Sequence, residues 1–478
     1  MRSAVCSAVC SAVRSAGAPV APGRSPREAF DAHGQHGQAL VLALVLLFAA
    51  SIGLFFMFST GQVSATRQRL DNAADAAAYS AALWRARVMN YHAYANRAIV
   101  AQEVAVAQAV TLVSWARYFE SFTGTAAALT AAYPPIGAVL AISADLARAT
   151  ATLTEQTAVE EIAARSAYKS LLATSQEILQ RSVDTFGLGA VANEVARAND
   201  RRFFAFALPD AQNFTGITRR YTGDDRARLK SVVDDSLDDF VAGPRGMDLT
   251  LWLLPSLCFG NPLVDPSKWF QELHKRGGTV MTPEFDRWEA ADTMALHDWR
   301  PSRGFFGFRG CNSTTNLNLG WGAAEAAVHP DLLEGRLQAN PGDVRHNAGA
   351  AMLAEATMLA RSTPGFAAYS GIAEVRELDY DALANPKFPV SAVAVLARVD
   401  GDDVRTANVL DVGVGRLRLS EDYAGGRLWS LAAAELYFRR PADASGLIEY
   451  ASLYNPYWQV RLVEPSAAQR AAAMAYVR

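Results

Sequence analysis

Residues 39–59 read ALVLALVLLFAASIGLFFMFS, and residues 67–87, beginning eight positions later, read RQRLDNAADAAAYSAALWRAR. The first stretch has 21 residues and no charge. Rising ~1.5 Å per residue as a helix, it reaches about 31 Å, the thickness of one hydrocarbon core. It reads as a single transmembrane helix. A cleaved secretory signal has a shorter apolar core that stops at a small-residue cleavage site, whereas this run continues past Ser51 and Gly53 through Leu54–Phe58. The second stretch is more than a third alanine, and from Gln62 to about Tyr118 neither proline nor glycine interrupts it, so the helix is expected to continue beyond the membrane. Leu70, Ala74, Ala77, Ala81, Trp84 and Val88 recur with a period of about 3.5 residues and form one stripe. A stripe this small lets another helix approach closely, inside a helical domain or between subunits of an assembly. Ala49 and Gly53 form a small-xxx-small pair within the span, open to the same packing or to lipid.

Working outward, residues 1–37 repeat the tetrad SAVC/SAVC/SAVR and continue into SAGAPVAPGRSP, a composition that cannot supply a core. The segment is expected to be disordered. The arginines nearest the span balance, Arg24 and Arg27 before it and Arg67 and Arg69 after it. Arg2 and Arg14 tip the count of the tail, and long C-terminal domains translocate largely regardless of charge, so the N-terminus is expected inside and the C-terminal part outside. The net charge of −3, without clustered Lys and Arg, excludes an electrostatic footprint for nucleic acid.

Residues 91–200 remain helical in pattern, broken around Pro134-Pro135, and read as a hairpin or small bundle. After about Arg202, glycine, proline and aromatic residues rise and period-2 stretches appear. Val393, Val395, Ala397 and Val399 alternate in a strand, as do Leu410, Val412 and Val414. Gly425-Gly426 before RLWSLAAAELYF signals a hairpin, and Trp458, Val460 and Leu462 share one face of a late strand. Residues 347–361 and the C-terminal AAQRAAAMAYVR read as helices. The fold class is therefore α+β: a long transmembrane helix running into a helical bundle, then a head with an antiparallel sheet and helices.

Enzymatic signatures fail on inspection. GLGAVA at Gly187 has dinucleotide-loop spacing but follows a helical segment, and there is no Walker-type loop, HExxH, Cys-x-x-Cys or GxSxG elbow. His297 adjoins Asp298, but adjacent residues seldom face each other, and the histidines read as surface or core polar groups. Asp234 and Ser236 fit the start of a metal-dependent adhesion pattern, yet Asp238 stands where its second serine belongs, and the run reads as a solvated helix face. Residues 399–403 read as a turn. No catalytic residue, metal ligand or cofactor site is assigned. Cys258 and Cys311 are the only cysteines after the span; in an oxidising compartment they would close a loop of about 54 residues, worth about 4 kcal/mol, and otherwise they are two buried thiols.

Gly37-Gln38 before the span, then Arg69-Leu70-x-x-Ala73-Ala74-Asp75-Ala76-Ala77-Ala78 and NYHAYANRAIVAQEVAVAQAV after it, resemble the N-terminus of TadG-like (TadE/TadG-type) proteins of the Flp pilus system. The resemblance covers roughly residues 34–110 and reaches less fully to LGWGAAEA and to AELYFRRP and SLYNPYWQVRLVEP near the end. It implies a bacterial inner-membrane protein, mostly periplasmic and accessory to pilus assembly or related secretion. Its expected partners are membrane lipid, other pilus-assembly or pilin-like envelope proteins and a second copy of the chain. Two departures limit the transfer. Leu42 stands where a processed pilin has glutamate five positions after the cleavage glycine, and the broken adhesion pattern argues against a von Willebrand A-like domain. The expected organisation is a disordered cytoplasmic tail (1–37), a transmembrane helix (38–60), a membrane-proximal helical region (61–202) and an α+β periplasmic domain (203–478), acting without catalysis. Two rival readings remain: a tethered periplasmic hydrolase would need Ser, His and acidic groups gathered in one pocket, and an envelope sensor would need a deep ligand pocket.

Overall fold

Helices α1 (His36–Thr130) and α2 (Pro134–Ser182) are the longest elements of the computed structural model, which describes residues 36–183, 185–209, 216–304, 307–383, 385, 387, 389–404, 426–441, 446 and 448–477. The tail expected to be disordered, residues 1–37, and the strand expected through Leu410, Val412 and Val414 fall on positions outside this set, apart from the first turn of α1, as does Gly425 of the glycine pair. The chain divides into two units, one ending at Gly61 and one spanning Gln62–Arg478. In the first, residues 39–54 are exposed throughout, Ala49 and Gly53 included, and nothing approaches within 4 Å of a side chain built at Gly53. By length and composition α1 is long and apolar enough to cross a membrane, and so is α2, whose most apolar stretch is partly buried against protein.

The second unit is built from α1 and two antiparallel sheets. One sheet has the order β1 (Phe204–Ala207), β8 (Val390–Asp400), β9 (Arg427–Phe438), β10 (Trp458–Val463). The other is a meander of β3 (Met247–Pro255), β4 (Phe270–Met281), β5 (Arg287–Gly304) and β6 (Gly307–Ala327). A two-stranded ribbon pairs β2 (Thr218–Arg220) with β7 (Arg376–Leu378). The antiparallel α+β class stands, with strands and helices where the alternation at 391–400 and 458–463 and the 3.6-residue patterns at 347–361 and 467–477 place them.

The alanine stripe has a definite role in this packing. Leu70, Ala74, Ala77 and Ala81 are fully buried and share one core with Leu188 and Ala192 of α3 (Thr185–Asn199), Val393 and Val395 of β8, and Ala432 and Ala434 of β9. The small face thus meets this chain's own sheet. Farther along, Ile99, Val106 and Val110 of α1 join Trp288 and Ala290 of β5, Ala324 and Ala326 of β6, and Ile162 of α2. The opposite faces are covered by α6 (Ala348–Arg361), through Ala354 and Met358 over Ala291 and Ala323, and by α7 (Ala467–Val477), through Ala473 over Ala394 and Ala433. The helical segment from Gln62 and the sheets after Arg202 therefore share cores within one unit, where the sequence suggests a bundle followed by a head.

Charge as well as apolar area ties α1 to the meander. Asp292 of β5 is fully buried and accepts from Arg245 at 2.9 Å, from Lys275 at 2.6 Å and from Ser114 of α1 at 2.8 Å. Lys169 of α2 meets Glu103 of α1 at 2.5 Å, and the Tyr369 hydroxyl donates to the other Glu103 oxygen at 3.0 Å. Buried charges are tolerated when each is paired and hydrogen-bonded, and removing one partner leaves the other uncompensated.

Candidate functional site

Three features of the second unit carry chemistry or exposed surface. The first is the cysteine pair. Cys258, in the loop after β3, and Cys311 of β6 are buried beside Val264 and Trp299, with Cα atoms 6.6 Å apart and the sulfurs joined.

The second is the edge strand β3 and the loop that follows. β3 pairs with β4 only from Met247 to Leu251 before a register break towards Pro255. Beyond the break Trp252 and Leu253 are 68% and 93% exposed, and Leu257, Phe259 and Leu263 are exposed as well. Phe259 packs edge-on against Trp269 and Phe270, and Trp252 packs tilted on Phe270, in a partial aromatic cluster. An exposed apolar patch of this density marks an interaction surface more often than ordinary protein surface.

The third is a histidine cluster on the face of the meander turned away from α1. Side chains at alternate positions of a strand share a face, so Glu272 and His274 of β4 point the same way. His297 lies directly opposite Glu272 on β5, and Asp248 of β3 lies opposite His274. His346 arrives from the 3₁₀ segment Pro341–Asn347, which sits directly on β4: a Cβ on Gly278 would overlap the backbone of Gly342, itself at φ +57°. The ring centroids of the three histidines lie 4.6 to 5.0 Å apart. His274 places Nδ1 2.5 Å from Asp248 Oδ1 and Nε2 3.2 Å from Glu272 Oε2. His297 places Nε2 2.9 Å from Asn347 Oδ1 and Nδ1 2.9 Å from Ser313 Oγ. Asn347 is fully buried, and its amide donates to the carbonyl oxygens of His274 and Thr293. Burial, opposed by the Asn347 hydrogen bond, pulls the His297 imidazole down to about 4, and burial lowers His346 too. Asp248 is held at about 2, chiefly by the Arg276 guanidinium.

Ser313, His297 and Asn347 form a hydroxyl–imidazole–amide chain, the arrangement closest among the described residues to a nucleophile with its base. An imidazole held near 4 is a poor general base at neutral pH, where catalytic proton transfer favours a value near the working pH. His297 and its neighbour Asp298 face different partners, Asp298 accepting from the Leu257 amide at 3.2 Å. The other sequence candidates are structural. Asp234 ends α4 (Arg226–Asp234), and Asp238 caps α5 (Asp239–Ala242) by accepting from the amides of Phe240 and Val241. Gly187 lies within α3, and residues 401–403 form a single 3₁₀ turn. The histidine cluster escapes sequence reading because its members lie on β4, β5 and a loop far apart in the chain. The one local signal is the i, i+2 pair of Glu272 and His274.

No curated protein and no solved structure matches this chain. A family model does: residues 37–86, the whole apolar span and most of the alanine stripe that follows it, match the model described as putative Flp pilus-assembly TadE/G-like, the family those same residues resemble in the sequence.

Proposed function

We propose that the chain is a membrane-anchored, non-enzymatic accessory or minor-pilin-like protein of Flp pilus assembly or related secretion, held in the bacterial inner membrane by residues 38–60 with residues 61–478 in the periplasm. The observation that carries this reading is the match over residues 37–86, which contains both the anchor and the helix leaving it. The Cys258–Cys311 pairing supports an oxidising compartment for the second unit. The exposed apolar surface after β3 supports a role exerted through protein contacts. The alanine stripe, buried within the chain, is assigned to folding, and assembly contacts are assigned to other surfaces.

The test is protease accessibility of a C-terminal tag in intact spheroplasts, with a cytoplasmic protein followed in the same samples. Digestion of the tag, together with loss of pili in a strain lacking the chain, is the expected result. A protected tag, or a deletion strain with unchanged pilus number and adhesion, overturns the proposal.

A further inference from the structure

We infer that His274, His297 and His346, with Glu272 beside His274, form a binding site for a divalent transition-metal cation of the zinc class. One ligand nitrogen from each imidazole lies within 4.8 Å of one from each of the others. Ligands about 2.0–2.1 Å from a tetrahedral zinc stand about 3.3 Å from one another. Glu272 Oε2 and His274 Nε2 already meet that spacing at 3.2 Å, and the imidazole nitrogens, within 4.8 Å of one another, close by up to about 1.5 Å. His346 is exposed and has the freedom to make that adjustment.

The surrounding groups are those a metal-binding histidine uses. A ligating imidazole generally gives its other N–H to a carboxylate, carbonyl or similar acceptor, which fixes its tautomer and aim. His274 has Asp248 at Nδ1 while Nε2 faces Glu272. His297 has Asn347 at one nitrogen and Ser313 at the other, so whichever nitrogen binds, the second keeps an oriented oxygen partner. Arg276 pairs with Asp248 at 2.6 Å, although its positive charge is also felt by His297 and His346. Three imidazoles and one carboxylate suit zinc, copper or nickel over magnesium or calcium, which prefer all-oxygen sites. Asn347 ties both strands and the loop together, so the segments that carry the donors are held side by side before any cation arrives. The site stands independently of the pilus reading.

The experiment uses the full-length chain in detergent, with Cys6→Ser and Cys10→Ser so that tail thiols do not compete, stripped with chelator and titrated with Co²⁺ and then Zn²⁺. One equivalent per chain is expected, with the visible absorption of tetrahedral Co²⁺, no thiolate charge-transfer band, and displacement by Zn²⁺. Asp248→Asn weakens Zn²⁺ binding by about 10–100-fold, and His346→Ala weakens it further while leaving the melting temperature of the metal-free protein unchanged. Glu272→Gln repeats the ligand test on a second element should His346→Ala fold poorly. Substoichiometric binding, or His346→Ala and Glu272→Gln binding as the parent does, overturns the assignment.

Discussion

Gly322 marks the closest approach between α1 and β6. A Cβ there would fall onto the Ser114 carbonyl oxygen and the Tyr118 amide, both main-chain atoms of α1, and at Gly320 it would meet the Tyr118 ring and the Phe122 Cβ. Backbone cannot give way as a flexible side chain does, so Gly322→Ala must push the helix off the strand and disturb Ser114, which holds Asp292. Overpacking of this kind costs about 1–3 kcal/mol, and the loss should lie at the upper end, read as a lower denaturation midpoint of the detergent-solubilised chain. A midpoint equal to that of the parent would mean that helix and strand are not in contact there. The residues 319–326 (LGWGAAEA) were legible as a motif. Their reason was not, because glycine in a strand signals close backbone approach without naming what approaches.

Among the elements, β3 and its following loop depend most on a single covalent link. β3 is an edge strand whose residues 252–254 are unpaired to β4, and the Cys258–Cys311 bond ties the loop to β6 across a separation of 53 residues. Replacing both cysteines by serine should lower stability by about 4 kcal/mol on the chain-entropy scale and open the loop 256–269 to protease before the rest of the protein. Thiol labelling of the exported protein should find neither sulfur free; labelling of both Cys258 and Cys311 would remove the bridge. Elements differ in how plainly they can be read. β8, β10, α6 and α7 follow from clean alternation or a 3.6-residue repeat. β4–β6 blur because register breaks interrupt β5 and β6 and because their inward positions include Glu289, Asp292 and Glu325, which are buried.

At the scale of the whole molecule, Glu377 is one of the groups through which pH acts on stability. This carboxyl lies where β7, α1 and the segment around Leu453 converge; its Oε1 accepts from the amides of Leu378 and Leu453, and Asn96 of α1 bonds the Arg376 and Leu453 carbonyls beside it. Burial raises Glu377 from 4.5 to about 7. Between those values the unfolded chain releases the proton and the folded chain keeps it. The contribution of Glu377 to stability therefore falls as pH rises across that window, by about 3 kcal/mol, and is level above it, while His92 and His297, lowered by burial to about 4, contribute in the opposite sense below pH 6.5, so the Glu377 effect is read as the difference between parent and variant. Glu377→Gln keeps an oxygen for both amides and carries no ionisable proton. Its denaturation midpoint should therefore lose this slope, and a slope between pH 5 and 7 unchanged from the parent would show that Glu377 is not its source.

The sequence alone settled the existence of the apolar span, the uninterrupted helix after it, the α+β class and the family resemblance, because each rests on local composition or short-range period. What covers the alanine stripe was a tertiary decision: a small face accepts a helix or a sheet equally well, and only the folded chain presents β8 and β9 to it. The same holds for Glu272, His274, His297 and His346, which strand pairing and one glycine-seated loop bring together from distant positions. Ladder register, unlike helical period, leaves no mark in a single strand's sequence.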